Sequence, residues 1–152
     1  GGDSVAVARW SAILLAYRDT RETRMAERQI GRALARLLDD LDVPGAALWR
    51  RSDKACFVTL FTLAAVHWQL PAEHTAAAYA WTWVDSQVAA AIKLVPLGQT
   101  DGQRILLDAG ARIPEVVACG GDLSDDEIGA SAPAASLASA AHEIEYSRLF
   151  RS

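Results

Sequence analysis

The sequence predicts an all-α protein, a helical bundle of about seven helices joined by short loops. Apolar residues recur at three- and four-residue spacing in one segment after another. Breaks built on proline and glycine, at residues 43–45, 70–71 and 95–98, separate those segments. Nowhere does a sustained alternation of apolar and polar residues mark a strand. At 152 residues the chain suits a single helical domain over 1–152, large enough to bury a core.

The first helix is expected over residues 4–17, where Val5, Ala8, Ala12, Leu15 and Ala16 share one face. Asp19 and Glu22 are spaced as a capping box that would open a long second helix. Ile30, Leu34, Leu37, Leu38 and Leu41 then form a stripe expected to be buried. Val43-Pro44-Gly45 ends that helix, and 46–52 reads as a loop. A third helix is expected from Asp53 to Gln69, with Phe57, Leu60, Phe61, Ala64 and Trp68 on its apolar side.

Leu70-Pro71 breaks the chain, and 75–92 is an alanine- and tryptophan-rich fourth helix. Within it Ala80, Val84, Val88 and Ile92 form an inner face, and Thr82, Ser86, Ala89 and Lys93 a nearly opposite one. The aromatic set Tyr79, Trp81 and Trp83 is expected mostly in the core. The corner Lys93-Leu-Val-Pro-Leu-Gly-Gln99 follows. Pro96 cannot continue the helix, Gly98 offers backbone freedom, and Thr100 with Gln103 fits a capping box. A fifth helix covers about 101–111, and a short sixth opens at Ile113-Pro114-Glu115 and stops at Gly120-Gly121. Ser124 and Glu127 are spaced as another box, and Ser131-Ala-Pro133 opens a last helix running to about Tyr146, with a tail over 147–152.

Composition narrows the function classes. The formal charge of −4 argues against general nucleic-acid binding, and no apolar run is long enough to span a bilayer. Cys56 and Cys119 are lone thiols, which points to a reducing compartment and no disulfide framework. No signal-peptide pattern opens the chain, and its single methionine is Met25, as in a truncated or processed product.

Positive signs of catalysis are lacking. His67, His74 and His142 are the only histidines; Pro71 separates the first two, and Tyr146 stands where a helical zinc motif would put its second histidine. Gly98-Gln-Thr-Asp-Gly102 departs from a P-loop in spacing and lacks its lysine. Arg24, Arg28, Arg32 and Arg36 make a slanted row, drifting about 40° per step around their helix. Such a row is ordinarily a solvated face, here balanced by Glu22 and Glu27, and less often a surface for an acidic partner. Lys93 reads as an exposed cation near a helix C-terminus. Leu149 and Phe150 between Arg148 and Arg151 read as an interface anchor.

The segment from Trp81 to Arg104, with Lys93-Leu-Val-Pro-Leu-Gly-Gln99 at its centre, resembles the signature of the urease accessory protein UreF family. So does Ala132-Pro133 leading through His142-Glu143 to Tyr146-Ser-Arg-Leu-Phe-Arg-Ser152. Arg21-Glu-Thr-Arg24 and Gly31 to Leu38 resemble the family's earlier helix. Asp85-Ser86 stands where the family commonly has Glu-Asn, and the family's Ser/Gly/Phe-rich opening motif has no counterpart here.

The resemblance implies a dimeric, cytoplasmic, all-helical protein that is not an enzyme and has no intrinsic cofactor. Such proteins bridge UreD (also called UreH) and the GTPase UreG in the complex that delivers nickel to apo-urease, and they tune the GTPase step. Nickel is then handled by the assembled complex, with no membrane or nucleic-acid partner. Carried over by position, the first motif assigns partner contacts to Lys93, Pro96, Gln99, Gln103 and Arg104, with Lys93 facing the GTPase. The terminal motif assigns them to Tyr146, Arg148, Leu149, Phe150 and Arg151, ordered on contact with UreD. The alternative from another class is a small-ligand or metal-binding helical bundle using the histidines or thiols.

Overall fold

The structure, a computed structural model, describes residues 4–95, 97–129 and 132–144. Among them are seven α-helices: α1 (Ser4–Ala16), α2 (Arg21–Asp40), α3 (Phe57–His67), α4 (Ala72–Leu94), α5 (Gln99–Gly110), α6 (Ile113–Gly121) and α7 (Pro133–Glu143). A 3-10 turn, Ala46–Trp49, stands in the stretch read as loop. The described residues contain no strand, so the all-α class holds. None of these helices is long and apolar enough to cross a membrane. By contacts the chain falls into two compact units, Gly1–His67 with Gly129–Ser152, and Trp68–Ile128.

The first unit is organised on α2. Its N-cap is Thr20, whose hydroxyl accepts from the Thr23 amide at 3.3 Å while the Thr23 hydroxyl accepts from the Thr20 amide at 3.3 Å. The reciprocal box thus sits one residue later than the expected Asp19–Glu22 pair, and two threonines satisfy the orphan amides. That leaves Asp19 and Glu22 to hold α7. Ser136 Oγ donates to Asp19, and His142 Nδ1 lies 2.8 Å from Glu22 Oε2. The Glu22 amide in turn donates to Glu143 Oε1 at 2.7 Å. A carboxylate at a helix N-terminus is favoured by the exposed amides and the helix dipole.

At its other end α2 closes in a Schellman motif. The Val43 amide donates to Leu38 O at 2.9 Å and the Asp42 amide to Asp39 O at 3.0 Å. Asp42 takes the left-handed backbone this requires, with φ 56. Val43 and Leu38 are then brought into one apolar cluster with Ala35, Ala46, Ala55, Leu60 and Ala64.

The expected buried stripe of α2 is corrected by this packing. Gly31, Ala35 and Leu38 are its buried positions, whereas Ile30, Leu37 and Leu41 are each more than half exposed. Periodicity gave the right spacing, but the small residues decide which side goes inward. A Cβ on Gly31 would lie 2.8 Å from Ala55 O, so only glycine lets α2 approach the Ala55–Cys56 backbone this closely. Glu27 reaches across the same junction. Its Oε1 accepts from the Phe57 amide at 2.9 Å and its Oε2 pairs with Arg18 at 3.1 Å. This cap fixes the start of α3 at Phe57 rather than Asp53.

α1 is corrected similarly. Its inward positions are Ser11 and Leu15, while Val5, Ala12 and Ala16 are exposed. Ser11 is accommodated because its hydroxyl donates to Val7 O at 2.8 Å and shares a 2.7 Å hydrogen bond with Thr59. Thr59 also meets buried Cys56 Sγ at 2.8 Å, so the polar atoms here satisfy one another.

In the second unit α4 packs against α5 and α6. Of its expected inner face only Val88 is fully buried, with Ala80, Val84 and Ile92 half-buried. Thr82, Ser86, Ala89 and Lys93 are exposed, as their helical phase requires. The expectation of a mostly internal aromatic set is overturned, since Trp83 is 59% exposed and Trp81 also counts as exposed. Trp81 instead lies against the end of α5, where a Cβ on Gly110 would meet its Cζ3 at 2.7 Å. Beyond α6, Glu127 Oε2 accepts from both the amide and the hydroxyl of Ser124, but the Glu127 amide donates to Ser124 O rather than Oγ, so only half of the expected box forms and it closes a turn. The same Ser124 holds the Asp126 and Glu127 carboxyls below their usual range by hydrogen bonding to the charged forms.

Candidate functional site

The corner between α4 and α5 carries the first set of sequence-predicted residues. α4 runs to Leu94, and its C-cap Val95 adopts φ −118 and ψ 145, the extended backbone expected before proline. The Val95 amide still donates to Ala91 O at 2.9 Å, so the chain leaves the helix cleanly. The Leu97 amide returns to Val95 O at 2.6 Å, and α5 begins at Gln99.

The expected Thr100–Gln103 box does not form. Gly98 is the N-cap, with no side-chain cap, and its carbonyl accepts from the Asp101 and Gly102 amides at 3.1 and 3.0 Å. Its φ of −68 is open to any residue, so the corner does not use glycine's conformational freedom there. The glycine that matters is Gly102. A Cβ at that position would lie 2.5 Å from Ile92 Cδ1, and this close approach sets α5 against α4.

Four of the predicted contacts fall on this corner. Lys93 lies in the last turn of α4, Gln99 opens α5, and Gln103 and Arg104 follow one turn later; all four are exposed. No described carboxylate pairs with Lys93, and a cation at a helix C-terminus is electrostatically favoured where it stands. Arg104 donates from Nη1 to Asp101 Oδ1 at 3.1 Å in an exposed i,i+3 pair. Such a pair contributes little, so the guanidinium is readily exchanged to another acceptor. Leu94, Val95 and Ile105 add exposed apolar surface. The arrangement offers cations, amides and apolar side chains, which is the chemistry of an interface. Pro96, Tyr146, Arg148, Leu149, Phe150 and Arg151 lie outside the described residues.

The other candidates are dispersed. His67 ends α3 and His74 sits in the first turn of α4, both exposed, while His142 meets Glu22. Cys56 is buried and Cys119 exposed. Among the described residues no three histidine, cysteine or acidic side chains gather as a metal site would need.

The arginine row is taken apart by the fold. Arg24 Nη1 donates to Arg18 O at 2.6 Å and Arg32 Nε to Ser52 O at 3.0 Å. Arg28 Nε is buried with no hydrogen-bond partner among the described residues. The expected balancing acids, Glu22 and Glu27, pair with His142 and Arg18 instead. Of the four, only Arg36 is exposed, and it lines a cleft with Arg50 and Arg51, which spacing along α2 could not reveal.

Comparison with known proteins gives a consistent result. The family model for UreF matches residues 1–110. A urease accessory protein UreF from Alkalilimnicola ehrlichii is 51% identical over 150 residues, covering 99% of this chain and 66% of that protein. Its counterpart from Hahella chejuensis is 46% identical over 143 residues, covering 94% of this chain and 64% of the relative. A third, from Pseudomonas putida strain W619, is 43% identical over 150 residues, covering 99% and 67%. The chain spans about two thirds of the length of these relatives.

Proposed function

The chain belongs to the UreF family of urease accessory proteins, and from that premise we propose that it acts without catalysis, as an adaptor. It bridges UreD (or UreH) and the GTPase UreG while nickel is inserted into apo-urease, and it tunes the GTPase step. It works in the cytoplasm, as a homodimer, with no cofactor of its own. Nickel is the cargo of the assembled complex.

The observation that supports this reading is the α4–α5 corner. It combines an exposed cation, Lys93, with exposed amides and apolar side chains on a backbone tightened by Gly102. A cation carried on packed helices has its backbone already ordered, so binding costs only its side-chain rotamers, and it complements an acidic patch, which favours encounter and register. The tail from Tyr146 to Arg151 is assigned to UreD. Its arginines and apolar pair would order on contact, with a cost in affinity for that ordering.

Lys93→Ala tests the reading. Its side chain is exposed, so circular dichroism and the unfolding midpoint should match wild type. Capture of UreG in a pull-down should fall roughly tenfold, as loss of about 1.4 kcal/mol requires. Unchanged capture by a folded variant would remove Lys93 from the interface.

A further inference from the structure

We infer that a cleft between the end of α2 and the 3-10 turn is a docking site for an acidic peptide segment, carboxylates alternating with an apolar side chain. The cleft has a volume of about 640 Å³ and is lined by Arg36, Ala47, Leu48, Arg50 and Arg51. That is within the usual range for a ligand site, roomier than a single ion needs.

Its charge is not self-compensated. Arg50 Nη1 lies 2.6 Å from Asp39 Oδ2, so one of the three guanidinium groups has its counter-ion. Arg36 and Arg51 have no ion pair among the described residues, although Asp40 follows Arg36 by one helical turn. Like charges converging on one concavity repel, and an incoming anion relieves that repulsion. Their neighbours behave differently, since Arg24 and Arg32 are spent on backbone carbonyls. Among the lining residues and Asp39 the surplus is therefore two positive charges, matched by two carboxylates.

The chemistry favours a peptide. Guanidinium forks donate to carboxylates in bidentate geometry. Leu48 is 82% exposed on the cleft wall, and with Ala47 it offers an apolar contact that free phosphate cannot use. The chain's net charge of −4 opposes a long polyanion but not a short local one. This site requires neither Lys93 nor any urease partner, so it stands or falls separately from the adaptor reading.

The test is fluorescence anisotropy of the full chain with a labelled peptide alternating glutamate and leucine. Its glutamine counterpart and inorganic phosphate serve as comparison and competitor. The glutamate peptide should bind, and Arg36→Ala/Arg51→Ala should weaken it by about tenfold or more. Leu48→Ser should weaken it several-fold without altering the dependence on salt. All three side chains are exposed, and circular dichroism verifies that the variants fold. Absence of binding, equal binding of the glutamine peptide, unchanged binding by the folded double variant, or displacement by phosphate at equal concentration would each overturn the proposal.

Discussion

The two units of the molecule bury their glycines against different things. In the first, Gly31 faces backbone: a Cβ there would lie 2.8 Å from Ala55 O and from Cys56 C. In the second, Gly102 faces the tip of a side chain, Ile92 Cδ1 at 2.5 Å. The surroundings differ in the same sense. Ala35, Ala46, Ala55, Cys56 and Leu60 are completely enclosed in the first unit, whereas the second buries Val88, Leu106 and Ile113 and leaves Trp83 largely outside. One unit holds itself together by backbone approach and mutual capping. The other is a three-helix packing with fewer enclosed side chains that presents aromatic, apolar and cationic groups.

The contrast can be broken by two substitutions. Gly31→Ala should be the more damaging. Alanine adds about 0.5–1 kcal/mol of helix propensity. Yet backbone atoms cannot rotate aside, and overpacking costs about 1–3 kcal/mol, occasionally more. We expect a net loss of about 2 kcal/mol in chemical denaturation. Stability equal to wild type would show that α2 does not need that approach. Gly102→Ala should be milder, because Ile92 can change rotamer and the propensity gain offsets much of the strain. Its denaturation midpoint should stay within about 1 kcal/mol of wild type. If it proved the worse of the two, the second unit would be the more tightly specified one.

The legible part of the fold was what local chemistry controls. The helical class follows from spacing, and Pro114 and Pro133 mark first turns where a missing amide is harmless. Less legible was anything settled at a distance. α3 starts at Phe57 because Glu27, thirty positions earlier, accepts its amide. The box expected at Asp19 moved to Thr20 and Thr23, and both displaced acids serve α7. The apolar period of α2 was visible, but the inward side was set by Gly31, whose partner lies in another segment.

The candidate sites divide along the same line. Exposure of Lys93 follows from its phase opposite Val88, so that part of the corner could be read directly. The cleft at Arg36 could not, because Arg50 and Arg51 reach it from beyond the Schellman turn at Asp42. The arginine row was visible as a pattern, but the fold spends most of it on carbonyls and burial.

The adaptor reading is tested most directly by size-exclusion chromatography of the full chain mixed with UreD and UreG, with nickel and GTP present and absent. One peak containing all three proteins is expected. Lys93→Ala should release UreG alone, and removal of residues 147–152 should release UreD. Failure of the intact chain to join both partners in one peak, or a three-protein peak indifferent to both changes, would contradict the account.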